Sequence, residues 1–189
     1  MKIILINGPS RSGKDTVQSF IPAYKEKLSY PLKHGVMGMV EPGGAAERMY
    51  YYEEHKEEPF RKFAGRPISY RQAQIDLFQA MACIWGDAWL GELLVDRIKG
   101  AGLHINEYCN GMVSVSDSGR RGECVPIVEA FGPDNVLLLQ ISRPNITWSD
   151  NRSHVDLSDL GVRCVAISND GSIDDLKLKT LKAIEGFSY

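Results

Sequence analysis

The stretch from Lys2 to Thr16 constrains this chain more than any other. Lys2-Ile3-Ile4-Leu5-Ile6-Asn7 is a short apolar run cut off by Gly8-Pro9, and such a run reads as a strand buried on both faces, the kind found in parallel sheets. Gly8-Pro9-Ser10-Arg11-Ser12-Gly13-Lys14 then fits GxxxxGK. Beyond Lys14, the residues Val17, Phe20, Ile21, Tyr24 and Leu28 fall at helical spacing. Strand, glycine-rich loop and helix in that order are the setting in which a loop wraps an anion. Gly8 permits the turn out of the strand, and the backbone N–H groups of Ser10, Arg11, Ser12 and Gly13 can converge on a phosphate. The helix N-terminus adds its partial positive charge, and Lys14 reaches the outer phosphates.

One position departs from the general motif. The residue after the lysine is Asp15, with the hydroxyl displaced to Thr16. Asp15 then has two readings of equal weight: a hard oxygen ligand for Mg²⁺, direct or through water, or a first-turn carboxylate complementing the helix dipole. Thr16 is left to reach the α-phosphate. A second carboxylate, Asp117, ends the run Met112-Val113-Ser114-Val115-Ser116, where a strand-terminal acid faces a nucleotide-bound metal. Arg120 and Arg121 follow it, and a guanidinium fork fits phosphate oxygens. Either one can equally be solvated or paired to a carboxylate. Ser69-Tyr70-Arg71-Gln72-Ala73-Gln74 offers a phenol, a guanidinium and two amides within two turns, a set able to read a base and its phosphate.

Pro22 is expected to kink or shorten the first helix, with a short strand over 28–30 after it. From 35 to 65, glycines, the run Met49-Tyr50-Tyr51-Tyr52 and the charges of 53–58 give no clean period. That stretch is expected to be a mobile insertion. Ile75, Phe78, Ala82 and Trp85 share one helical face and Leu90, Leu94 and Ile98 another. The runs 112–116, 136–141 and 164–167 read as further parallel strands. Cys124, Val125, Ile127, Val128 and Phe131 form a helix stripe, as do Ile173, Leu176, Leu181 and Ile184 behind a capping box of Ser172 and Asp175. This βα alternation predicts an α/β fold of three layers, a central parallel sheet flanked by helices.

The 189 residues are read as one domain, 1–189. Lys and Arg number 22 against 24 Asp and Glu, a net charge of -2, which argues against a nucleic-acid polymer as partner. The four cysteines form no CxxC pair and are expected to be reduced, mostly buried thiols. No apolar stretch has membrane-spanning length and no signal-peptide core is present, so a cytoplasmic protein without a membrane partner is expected.

These residues, taken together, resemble the phage deoxynucleoside monophosphate kinases of the P-loop nucleoside monophosphate kinase superfamily. The resemblance rests on Arg11-Ser12-Gly13-Lys14-Asp15-Thr16, Pro31-Leu32-Lys33, Tyr70-Arg71-Gln72, and Trp85-Gly86-Asp87-Ala88-Trp89-Leu90. It continues through Ser116-Asp117 with Arg120 and Glu123, Arg143-Pro144, Ser153-His154 and Ile167-Ser168-Asn169-Asp170-Gly171-Ser172. Arg120 stands one position later than in the family pattern, and 35–65 has no counterpart in it. The resemblance implies a P-loop fold with a mobile monophosphate-binding insertion and a short lid near 143–158. The reaction it implies is ATP- and Mg²⁺-dependent phosphorylation of a nucleoside monophosphate, deoxy- preferred, to the diphosphate. The alternatives are a P-loop kinase for another phosphorylated acceptor and a nucleotide-binding module without turnover. It places Lys14, Asp117, Arg120 and Arg143 at the chemistry and Asp15 and Asp117 at the metal. Gly8 through Thr16, excepting Pro9, hold ATP, with Asn169 and Asp170 near its adenine. Lys33, Tyr70, Arg71, Gln74, Trp85, Arg121 and Arg152 lie toward the acceptor. A homodimer is left open.

Overall fold

In the computed structural model, residues 1–40, 46–63, 65–148 and 153–187 are described. The chain divides into two compact units, one formed by Met1–Leu28 with Leu90–Tyr189 and the other by Ser29–Trp89.

The first unit is built on an all-parallel five-stranded sheet. With strands numbered along the chain, β1 is Lys2–Asn7, β2 Tyr24–Glu26, β5 Met112–Val115, β6 Val136–Ser142 and β7 Arg163–Ser168. Their order across the sheet is β2-β5-β1-β6-β7. Burial explains the central position of β1, since Ile3, Ile4, Leu5 and Ile6 are all fully inaccessible and only a strand covered on both faces needs such a run. Ile4 and Ile6 join Val17, Ile21, Leu137, Leu139, Ile141 and Leu176 in one core layer. That layer is closed by α1, Lys14–Phe20, and α8, Ile173–Ile184. Ile3 and Leu5 alternate to the opposite face, where α5 (Trp89–Gly100), α6 (Gly102–Cys109) and α7 (Arg121–Phe131) supply the buried Leu94, Ile98, Ile105 and Ile127. The predicted three-layer α/β architecture is thus the one observed. The connection after β1 leads toward β2 and that after β6 toward β7, on opposite sides of the sheet. The adjacent carboxyl ends of β1 and β6 therefore flank the topological switch point, where open α/β sheets bind ligands.

The second unit holds α2 (Tyr30–Val40), α3 (Ala46–Glu54), an antiparallel hairpin of β3 (Pro59–Phe63) and β4 (Arg66–Ser69), and α4 (Tyr70–Trp85). Its own core is Val36, Met37 and Tyr70, with Met49, Tyr52, Ala73 and Leu77 against them. Ser69 opens α4, its hydroxyl accepting from Gln72 N at 3.1 Å.

Several elements differ from the sequence reading. Ile21 leaves the helix with extended backbone angles just before Pro22, so α1 is seven residues long and Tyr24 belongs to β2. The strand expected over 28–30 lies earlier, at Tyr24–Glu26. The described residues of 35–65 hold the second half of α2, all of α3 and the first strand of the hairpin, β3. Gly35 and Gly38 sit inside α2, where they erase the apolar period. In α4 half of the predicted face is covered, Phe78 being buried and Ala82 partly so. Ile75 and Trp85 are exposed, and Tyr70, Ala73 and Leu77 carry the packing. In α8, Ile173 and Leu181 are exposed while Leu176, Thr180 and Ala183 are buried. The capping box is present as predicted, with Ser172 N donating to Asp175 Oδ2 at 2.9 Å and Asp175 N to Ser172 Oγ at 3.1 Å. Helix α6 was not anticipated. All four cysteines are free, but only Cys124 is buried. Burial, followed by the nearby Glu123 carboxylate, pushes its thiol up to about 12. Among the described residues, no helix is long and apolar enough to cross a membrane.

Candidate phosphate-binding site

The loop between β1 and α1 takes its shape from two left-handed residues. Arg11 has φ 63° and Gly13, the N-cap of α1, φ 103°. A side chain at Gly13 would be strained by that angle and would also meet Asn169 Nδ2 at 2.6 Å. Gly8 is needed for a different reason. A Cβ there would stand 2.5 Å from the Ile141 carbonyl oxygen, so the loop leaves β1 in close contact with the end of β6. Lys14 folds back over the loop, its ammonium donating to Gly8 O at 2.8 Å and Pro9 O at 2.7 Å. Ser12 Oγ is buried there without a hydrogen-bond partner.

Neighbouring strand ends close in around this loop. Asn169, just past β7, donates through Nδ2 to Ser12 O at 2.9 Å. Its own backbone N–H donates to Ser142 O at 2.8 Å. Asp170 pairs with Lys179 at 2.6 Å. Arg143 follows β6 directly and its Nη1 points to Arg11 O at 3.4 Å, so this guanidinium stands beside the loop. Asn7, fully buried at the tip of β1, joins three segments. Its Oδ1 accepts from Val155 N at 3.0 Å and faces His154 Nδ1 at 3.2 Å, while its Nδ2 donates to Ser118 O. The burial of His154 holds its imidazole pKa below the ordinary value.

The two carboxylates singled out for a metal are both engaged. Asp15 Oδ1 accepts from Lys27 Nζ at 2.9 Å and from Ser116 Oγ at 3.0 Å. Desolvation pushes the Asp15 carboxyl pKa up, but the Lys27 hydrogen bond and charge, with Ser116 and Lys14, outweigh it and hold the group below its usual range. Asp117 Oδ1 accepts from Leu28 N at 2.7 Å. Among the described residues no cluster of three or more His, Cys, Asp or Glu forms a metal site by itself. Mg²⁺ asks less of a protein, taking one or two carboxylates and completing its shell with water and phosphate oxygens. Asp15 and Asp117 suit it as hard oxygen donors.

The adjacent arginines diverge. Arg121 makes a two-pronged contact with Asp159, at 2.9 and 2.7 Å, and also donates to Asp156 O. Arg120 is the exposed N-cap of α7. Within the second unit, Lys33 is buried and pairs with Glu53 at 3.0 Å. Tyr70 hydroxyl donates to Lys33 O at 3.3 Å, and burial, with Glu53 second, raises its pKa well above the ordinary value. Arg71 pairs with Glu57 at 3.0 Å, Gln74 Nε2 donates to Tyr70 O at 3.3 Å, and Trp85 lies exposed with its ring edge-on to Trp89. Arg152 falls outside the described residues. Sequence reasoning missed Asn7 and Lys27. A polar residue closing an apolar strand was the available sign of the first, and an acid in place of the usual hydroxyl after Lys14 the sign of the second.

No protein-family model matches the chain, and no curated protein does. Among solved structures, it is similar to an unliganded sugar kinase from Janibacter sp. HTCC2649 at 13% identity. The match covers 100% of this chain and 99% of that one at a TM-score of 0.41. A likeness that weak does not bear on function.

Proposed function

We propose that this protein transfers the γ-phosphoryl group of ATP to the 5′-phosphate of a nucleoside monophosphate, a deoxynucleotide by preference, and releases the diphosphate. The observation that carries this reading is the Lys14 ammonium lying on the Gly8 and Pro9 carbonyls at the mouth of α1, beside the switch point of a parallel sheet. A cation and a helix N-terminus lie together there, the combination that receives a polyphosphate.

The acceptor phosphate is already ionised at neutral pH, so no general base is needed. Catalysis rests on alignment and on neutralising charge spread over the transferring group. Lys14 exchanges its loop carbonyls for β- and γ-phosphate oxygens. Arg143, standing beside Arg11, clamps the transferring group from the β6 side. Asn169 braces the loop through Ser12 O. Magnesium, when bound, neutralises and orients phosphate oxygens, and Asp15 and Asp117 are the residues that would hold it. On the acceptor side Arg71 leaves Glu57 for the monophosphate, an exchange of one anion for another at a partly exposed guanidinium.

Arg71→Lys tests this assignment by keeping the charge and losing the planar fork. Each lost charge-assisted hydrogen bond is worth roughly 1.5–3 kcal/mol, so kcat/KM for the monophosphate falls at least about tenfold while KM for ATP stays nearly constant. Steady-state kinetics with each substrate varied separately check it. A deficit confined to ATP, or none, removes Arg71 from the acceptor site.

A further inference from the structure

The two carboxylates beside the loop are both held by consecutive residues of one short segment. Lys27 Nζ donates to Asp15 and Leu28 N to Asp117. The segment is itself fixed from elsewhere. Lys27 O accepts from Arg97 Nη2 at 2.7 Å, and the same guanidinium lies 3.2 Å from Glu26 Oε2, a carboxylate only 6% exposed. Lys27 N in turn donates to Glu26 Oε2 at 3.2 Å. Its side chain is 29% exposed, and its backbone is pinned so that the ammonium meets the residue next to Lys14. The lysine is thus held by its backbone, while the Asp15 side chain it meets is 76% exposed.

Charge at this position matters more than elsewhere on the surface. The phosphate-loop motif carries a neutral hydroxyl after its lysine, whereas this chain carries a carboxylate in the first turn of the helix that must receive a polyanion. Its negative charge opposes both the helix N-terminus and Lys14 at a few ångströms' range. An ammonium 2.9 Å away converts that charge into a dipole. Ser116 Oγ, on the same carboxylate oxygen, keeps it turned toward β5.

We propose that Lys27 is a positioning residue of the phosphate site, neutralising Asp15 so that the first turn of α1 accepts a polyphosphate instead of repelling it. This inference rests on the reading of 8–16 as a phosphate-binding loop. It makes Lys27 and Asp15 a coupled pair, with the lysine required because the aspartate is there.

The test is equilibrium binding by titration calorimetry at low ionic strength, with inorganic tripolyphosphate and with ATP, each in the absence and presence of Mg²⁺. The proteins compared are the full chain, Lys27→Met, Lys27→Gln, Asp15→Asn and Asp15→Asn with Lys27→Met. The expected result is at least about tenfold weaker binding of both probes by the Lys27→Met and Lys27→Gln variants. In the absence of Mg²⁺, Asp15→Asn should bind as well as the unaltered chain or better, and with or without Mg²⁺ the double variant should stay within about threefold of Asp15→Asn. Rescue by removing the aspartate is what a merely structural lysine would not give. Binding by both Lys27 variants within twofold of the unaltered chain overturns the proposal. So does a double variant as weak as Lys27→Met. Should the unaltered chain bind neither probe, the phosphate-loop reading fails first, and this inference with it.

Discussion

Lys14→Ala lowers phosphoryl transfer by on the order of 100-fold or more and weakens ATP binding with it. Arg143 is a second cation beside the loop, but on this account it acts from the β6 side and does not replace the ammonium. Arg11 contributes its backbone carbonyl to Arg143, and Lys27 is committed to Asp15. Removing Lys14 therefore leaves the charge developing across the β- and γ-phosphates poorly neutralised inside a preorganised site, where such a contact acts mainly on the transition state. The fold should survive, because the Lys14 side chain is only partly buried and its bonds to Gly8 O and Pro9 O are to loop carbonyls. Single-turnover rates and calorimetric ATP titrations on a variant with an unchanged circular dichroism spectrum check this. A folded Lys14→Ala protein with near-normal turnover contradicts the assignment of the loop.

Gly91→Ala has the largest expected effect on stability. Gly91 lies in the first turn of α5, and a Cβ built there falls well inside contact distance of the Glu123 carbonyl oxygen and only 3.0 Å from its carbon. The obstacle is backbone of α7, so no side chain can rotate away. One helix must move, and α5 carries Leu94 and Ile98 while α7 carries Cys124 and Ile127, all fully buried. Overpacking of a tight core costs about 3 kcal/mol at such a place, which for a chain of this size lowers Tm by roughly 6–12 °C. Thermal unfolding followed by circular dichroism gives the answer. A change below about 1 °C would show that the two helices do not approach this closely.

What could be read in advance follows from where the physical signal is local. The run 2–7 announced β1 because a strand covered on both faces needs apolar residues throughout, and the runs of β5 and β6 did so for the same reason, whereas β7 is an edge strand with only Ile167 buried. Ser172 and Asp175 announced the start of α8 because both halves of a capping box lie within four residues. Gly8, Gly13 and Lys14 marked the loop through their spacing. The strand β2 was misplaced because three residues, one of them the exposed Lys25, cannot display a period of two. The stripe of α4 was right at Phe78 and wrong at Ile75 and Trp85, because these two are as apolar as Tyr70 and Leu77 and only the fold of 29–89 decides which residues face its core. Arg121 and Asp159 lie 38 residues apart, and Lys27 and Asp15 lie on different elements. Their pairing depends on how β2, α1 and the segment after β6 meet, which no local pattern records.

The most direct test of the account is an acceptor screen. The purified protein is supplied with ATP and Mg²⁺ and offered the four deoxynucleoside monophosphates, their ribose counterparts and a panel of unrelated phosphate esters, with ADP and the new diphosphate both quantified. The account predicts that one or more deoxynucleoside monophosphates yield the matching diphosphate in a one-to-one ratio with ADP, and that Lys14→Ala abolishes this. ADP formation driven only by the unrelated esters, or ATP binding with no acceptor-dependent transfer at all, would contradict it.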